Sequence, residues 1–157
     1  MIDYSLIKLL PADELHREFS YQVKKSAYGE YITQIWGWDE SIQRDFHTED
    51  WQQKRPEIIT YGNKPVGTIA VIESENCIEI EQFIILLEYQ NQGIGSYLLK
   101  RILDKADRVG QLTTLKVLKN NPVKSLYVRY GFEIVGFDGT FYSMERKPKG
   151  SANEQGV

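Results

Sequence analysis

Residues 90–99 read Gln90-Asn91-Gln92-Gly93-Ile94-Gly95-Ser96-Tyr97-Leu98-Leu99 and set two glycines at the mouth of a helix. Glycine is a poor helix former, so a Gly-x-Gly pair in this position needs a reason. Either the backbone approaches an anion at the positive end of the helix, or the pair makes a tight strand-to-helix turn with no ligand. The flanking residues fix what the turn connects. Ile78 to Leu87 ends in a nearly unbroken apolar run, as expected of a strand buried on both faces. After the glycines, Ile94, Leu98 and Ile102 recur at helical spacing with Leu99 and Leu103, and Leu112 to Leu118 reads as strand again. A crossover helix joining two strands implies that they are parallel.

Upstream, Tyr4 to Leu10 alternates as a first strand. Pro11 suits the first turn of a helix, with Asp13 and Glu14 placed for its dipole. That helix runs to about Trp36, with a break near Gly29. Asp39 is positioned to cap a second helix, which ends near Phe46 and frays at His47-Thr48-Glu49-Asp50. Glu57 to Tyr61, the turn Gly62-Asn63-Lys64 and Pro65 to Glu73 form a hairpin rich in Ile, Val and Thr. Downstream come a short helix around Pro122 to Tyr130 and two strands, Phe132 to Phe137 and Phe141 to Arg146. The order is β-α-α-β-β-β-α-β-α-β-β, an α+β or mixed α/β domain over 1–146. The polar residues 147–157 are expected to be a disordered tail.

The 157 residues suit one domain with a sizeable core. With 19 basic and 22 acidic side chains the net charge is −3, which argues against nucleic acid as a partner. No apolar run approaches the roughly 20 residues of a membrane helix, and the N-terminus does not read as a signal peptide. Cytoplasmic location is the expectation. Cys77 is the single cysteine, with no base beside it in sequence. His16 and His47 lack a metal-ligand pattern, and no metal is called for.

Known glycine motifs narrow the reading. A dinucleotide fold calls for a third glycine, but Leu98 stands at that position, and a phosphate loop calls for Gly-Lys-Ser/Thr, which is absent. Gln90-x-x-Gly93-x-Gly95 instead resembles the Q/R-x-x-G-x-G/A signature of the GCN5-related N-acetyltransferases, the GNAT superfamily. That family also carries, after the next strand, an Asn, a short helix with Leu-Tyr, and Gly-Phe. Asn120, Leu126-Tyr127 and Gly131-Phe132 match this block position for position. Gln90 for arginine, Leu87 for proline and Val123 for alanine are departures, and none touches a group that does chemistry.

The resemblance implies a central twisted mixed sheet of about seven strands with helices on both faces, splayed between the fourth and fifth. It also implies an acetyl-CoA-dependent N-acetyltransferase acting on a primary amine of a small molecule or peptide, by direct attack in a ternary complex. The amides of Gln92, Gly93, Ile94, Gly95 and Ser96, with Gln90 leading the motif, would cradle the pyrophosphate. Ile84 to Leu87 would pair with the pantetheine arm, and the N–H of Ile85 would face the thioester oxygen. Asn120 would hold that arm or a water, or cap the short helix. Glu81, Glu79 on the same strand face, or a water would take the amine's proton, with Glu81 leading. Tyr127 would protonate the departing thiolate.

For the acceptor, Trp36, Trp38 and Asp39, with Glu79, are candidate contacts that recognise a cationic amine. The same tryptophans also fit a plain helix-packing role, with Asp39 as a cap. Lys124 and Arg129 meet either the coenzyme's 3′-phosphate or solvent. The rival to an enzyme is a non-catalytic acyl-CoA-binding or regulatory domain with the same fold. A homodimer is in keeping with the family's habit.

Overall fold

The computed structural model describes residues 1–150, so positions 151–157 of the expected tail lie outside the described residues. The strands are β1 (Ile7–Pro11), β2 (Glu57–Tyr61), β3 (Lys64–Glu73), β4 (Cys77–Ile85), β5 (Leu112–Leu118), β6 (Glu133–Phe137) and β7 (Phe141–Arg146). The helices are α1 (Arg17–Trp36), α2 (Glu40–Gln53), α3 (Ile94–Val109) and α4 (Lys124–Arg129), with single 3-10 turns at Tyr4–Leu6, Glu14–His16 and Leu87–Tyr89. The sheet order is β1-β2-β3-β4-β5-β7-β6. β4 and β5 are registered in parallel, Cys77–Glu79 against Leu112–Thr114. β5 then runs on beside β7 to Leu118. This is the mixed seven-stranded sheet expected from the sequence.

Two compact units make up the chain. Among the described residues, one comprises 1–70 and 82–97, the other 71–81 and 98–150. In the first, β1, β2 and β3 form an antiparallel meander whose core includes Ile58, Ile59, Val66 and Ile69. Three expectations for its helices need correction. Pro11 closes β1 rather than opening a helix; β1 is an edge strand, where a missing N–H costs no ladder bond. α1 runs unbroken through Gly29, where Thr33 Oγ1 donates back to the Gly29 carbonyl (2.6 Å). α2 does not fray at His47; it continues to Gln53 because His47 and Trp51 are both buried. A hydrophilic stretch thus forms a packed helical face, its polar groups matched by partners on neighbouring elements.

In the second unit, α3 presents Leu98, Leu99, Leu103 and Ala106 as a buried stripe, and β5 alternates buried Thr113, Leu115 and Val117. Arg146 on β7 is 4% exposed and makes a two-pronged pair with Asp107 on α3, 2.9 and 3.1 Å, while its Nε donates to the Tyr130 carbonyl (3.0 Å). Asp107 also accepts the Lys149 N–H (2.8 Å), which secures the chain just past β7. Partial burial works to raise the Asp107 carboxyl pKa, but the Arg146 and Lys149 bonds outweigh it and hold it below the usual value.

Asp107→Ala, which strands a buried guanidinium, is expected to cost about 3 kcal/mol in urea unfolding. The wild-type bond is fully present above the unfolded carboxyl pKa of about 4 and is lost as pH falls through the lower folded value. Stability from pH 4 downward should therefore fall less steeply in the variant. Equal slopes would mean that the pair contributes nothing.

Candidate active site

Near its end β4 departs from regular extension. Gln82 takes a left-handed φ of 49°, a conformation that L residues with side chains hold only when the surroundings enforce it. Two bonds enforce it here: Thr68 Oγ1 donates to the Gln82 carbonyl (2.8 Å), and Gln82 Nε2 donates to the Lys54 carbonyl (3.2 Å). A left-handed residue within a strand marks a bulge and re-aims the residues that follow. Glu79 and Glu81 both precede it, so they keep one face of β4, and both are half-buried.

Beyond the bulge, Ile84 and Leu86 pack on Val23 and Ala27 of α1, with Phe19 and Tyr28 alongside. Burial pushes the Tyr28 phenol up to about 12, so it stays protonated at neutral pH. β3 lies close against this end at Gly67. A methyl group there would overlap the Ile84 carbonyl oxygen, and Ile85 Cα would lie 3.2 Å away. The Leu86 N–H then donates to the Val66 carbonyl (2.9 Å) and closes the β3 contact.

The chain next folds into the glycine loop. Gln90 Nε2 reaches back to the Ile85 carbonyl (2.7 Å), and Gln92 Nε2 to the Glu88 carbonyl (2.9 Å). Asn91 and Gly93 are both left-handed, φ 61° and 90°. The first bond of α3 runs from the Tyr97 N–H to the Gly93 carbonyl (2.9 Å), so the N–H groups of Ile94, Gly95 and Ser96 have no intrahelical acceptor.

The two glycines differ in purpose. A Cβ at Gly95 would meet nothing within 4 Å, so the backbone there opens on free space. A Cβ at Gly93 would overlap the Tyr4 hydroxyl. The sequence reading assigned both glycines to ligand approach. At Gly93 the missing side chain also makes room for Tyr4.

In the second unit, the side chain that turns the chain into α4 is Asn121, whose Oδ1 accepts the Val123 N–H (3.0 Å); Asn120 stands just before it, half-buried. Tyr127 on α4 is 6% exposed and meets Phe132 edge-on, with ring centres 5.4 Å apart. The Lys124 ammonium sits over the Tyr142 ring (4.4 Å).

The α1–α2 junction carries the candidate acceptor residues. Trp36 is exposed. Asp39 caps α2 by accepting the Ile42 N–H (3.0 Å). The Trp38 indole donates to Glu40 (2.9 Å), and Lys25 bonds the same carboxylate (3.0 Å) while lying over the indole ring. Arg44 links Glu40 to Glu18 and covers the Tyr21 ring at 4.1 Å. The Trp38 bond leads in holding the Glu40 carboxyl down to about 2, and the Arg44 bond leads in doing the same for Glu18. His47 Nε2 lies 3.2 Å from Ser20 Oγ, and desolvation, helped by Lys24 and Arg17, lowers its pKa to about 4. It is neutral at pH 7.

Gly67, Gln82, Tyr28 and Tyr4 were missed in the sequence. An isolated glycine amid β-branched residues does signal close backbone approach, and that signal was present at Gly67. Among the described residues no three His, Cys, Asp or Glu side chains are grouped to hold a metal, and no helix is long and apolar enough to cross a membrane.

The acetyltransferase (GNAT) family model matches residues 18–132. The fold is similar to the PaiA N-acetyltransferase of Thermoplasma acidophilum in complex with coenzyme A, at 19% identity and a TM-score of 0.71, over 90% of this chain and 98% of that one. An acetyltransferase from Thermus thermophilus aligns at 20% identity and 0.67, over 90% and 96% of the two chains. The ribosomal-protein-S18-alanine N-acetyltransferase of Escherichia coli aligns at 16% and 0.64, over 94% and 97%. No curated protein matches the sequence.

Proposed function

This chain belongs to the acetyltransferase (GNAT) family, and on that premise we propose that it moves an acetyl group from acetyl-CoA to a primary amine of a small molecule or peptide in the cytoplasm. The observation that carries the reading is the loop after β4. Its left-handed Asn91 and Gly93 lead into the first N–H groups of α3, which have no acceptor within the helix, and Gly95 opens on free space. Alternating backbone of this kind makes a concave cluster of N–H donors suited to phosphate. The residues therefore fit coenzyme A, which when bound supplies an activated thioester.

Gln92 to Ser96 hold the pyrophosphate, with Gln90 tying the loop to β4. Ile84 to Leu87 align the pantetheine arm, and the Ile85 N–H donates to the thioester oxygen as it gains charge. An alkyl amine has a pKa of about 10 and arrives protonated, so Glu81 takes its proton, directly or through water. Glu79, on the same strand face as Glu81, is the alternative base, and Trp36, Trp38 and Asp39 are the candidate acceptor contacts. Asn120 positions the arm or a water, and Tyr127 gives a proton to the departing sulfur.

The test is coenzyme A thiol release from acetyl-CoA across amines, polyamines, amino acids and short peptides, with Tyr127→Phe beside the wild type. Turnover with one acceptor class and a loss of about 10²-fold in the variant is expected. Binding of acetyl-CoA with no turnover across the panel would favour the non-catalytic domain.

A further inference from the structure

A loop built on glycine has a weakness. With no Cβ at position 93, the peptide between Gln92 and Gly93 meets little resistance to turning over, and a turned peptide aims its N–H the wrong way. In a trans peptide the carbonyl and the following N–H point in opposite directions, so whatever grips the Gln92 carbonyl decides where the Gly93 N–H faces. Tyr4, on the 3-10 turn before β1, supplies that grip. Its hydroxyl donates to the Gln92 carbonyl (3.3 Å) and fills the space a side chain at 93 would need. Its ring stacks on Tyr97 in the first turn of α3, centres 5.1 Å apart and planes within 6°.

The turn that carries Tyr4 is itself secured. Asp3 Oδ1 accepts the Ser5 N–H (3.0 Å) and hydroxyl (2.6 Å), the Asp3 N–H donates to the Tyr61 hydroxyl (3.0 Å), and the Gly62 N–H donates to the Leu6 carbonyl (2.9 Å). Tyr4 thus joins three elements at one point: the β2–β3 turn through its own segment, the glycine loop through its hydroxyl, and α3 through its ring.

We propose that Tyr4 is a positioning residue for the coenzyme's pyrophosphate: by holding the Gln92 carbonyl on the outer side of the loop, it keeps the Gly93 N–H turned to the opposite side, as a phosphate donor. The inference rests on reading 90–96 as the pyrophosphate loop. It predicts a split that a general loss of packing would not produce. Groups bound by the loop depend on Tyr4, and groups bound along β4 do not.

The experiment is titration calorimetry of coenzyme A and of pantetheine, which lacks the pyrophosphate, on wild type, Tyr4→Phe and Tyr4→Ala. Tyr4→Phe keeps the ring and the stack, so it reads the hydroxyl alone. We expect coenzyme A affinity to fall about fivefold in Tyr4→Phe and more than about tenfold in Tyr4→Ala, with pantetheine affinity held within about twofold. Coenzyme A affinity at the wild-type level in both variants overturns the role of Tyr4 and leaves the loop reading standing. Parallel losses for both ligands also overturn it, since Tyr4 would then act on the whole unit. Failure of the wild type to bind coenzyme A overturns the loop reading, and the Tyr4 proposal with it.

Discussion

Gly67→Ala is expected to destabilise the protein by about 3 kcal/mol, the upper part of the range for adding one methyl to a packed site. The added carbon would overlap the Ile84 carbonyl oxygen and crowd Ile85 from two sides, Cα and Cδ1 each at 3.2 Å. Overlap with a flexible side-chain tip is relieved by a rotamer change, but a strand carbonyl moves only with its strand. Relief would push the end of β4 off β3 and break the Leu86–Val66 bond. Gly95→Ala is the matched control, since its methyl would enter open space at a helix start. It should leave urea stability equal or slightly raised. On the proposed reading it should nonetheless weaken coenzyme A binding. A Gly67→Ala midpoint within experimental error of the wild type would show that β3 and β4 part there at no cost.

Glu81→Gln carries the largest expected effect on rate. The replacement keeps shape and hydrogen-bonding reach but cannot accept a proton at any pH of interest. The rate should fall by about 10²- to 10³-fold with coenzyme A affinity unchanged. A general base works in its ionised form, so wild-type activity rises as pH climbs through the base's pKa. The glutamine variant should lack that rise. Glu79→Gln reads the alternative, because the bulge at Gln82 follows both carboxylates and leaves them on one face. If Glu79→Gln flattens the acid limb while Glu81→Gln retains it, the base is Glu79. Both variants keeping the limb would point to water.

What the sequence made legible was local. The strand Leu112–Leu118 and the helix opening at the double glycine are written in short-range periodicity, and both stand where expected. α2 was cut short because His47-Thr48-Glu49-Asp50 scores as solvated. His47 is in fact buried against Ser20, and Trp51 donates to Glu14, partners 27 and 37 positions away. The site divides the same way. Gln90, Gly93 and Gly95 advertise themselves by spacing, whereas Tyr4 meets the loop across 88 positions and leaves no mark on the pattern. Gln82 was hidden for another reason: its left-handed backbone is imposed by Thr68 and Lys54, and glutamine has no preference that would announce it.

All three tryptophans, Trp36, Trp38 and Trp51, lie at the end of α1, in the α1–α2 junction and on α2, while the glycine loop and its brace carry only tyrosines. Indole fluorescence in this protein is thus an optical reporter confined to one helix pair. Trp38 lies beside Lys25 and Glu40, and Trp51 beside Glu14 and Arg55, so both indoles are in contact with charged groups. A ligand that disturbs that charge lattice will change the colour and intensity of the signal at once. One that settles on the loop alone will pass unseen, so the protein's own light reports on that helix pair without a label.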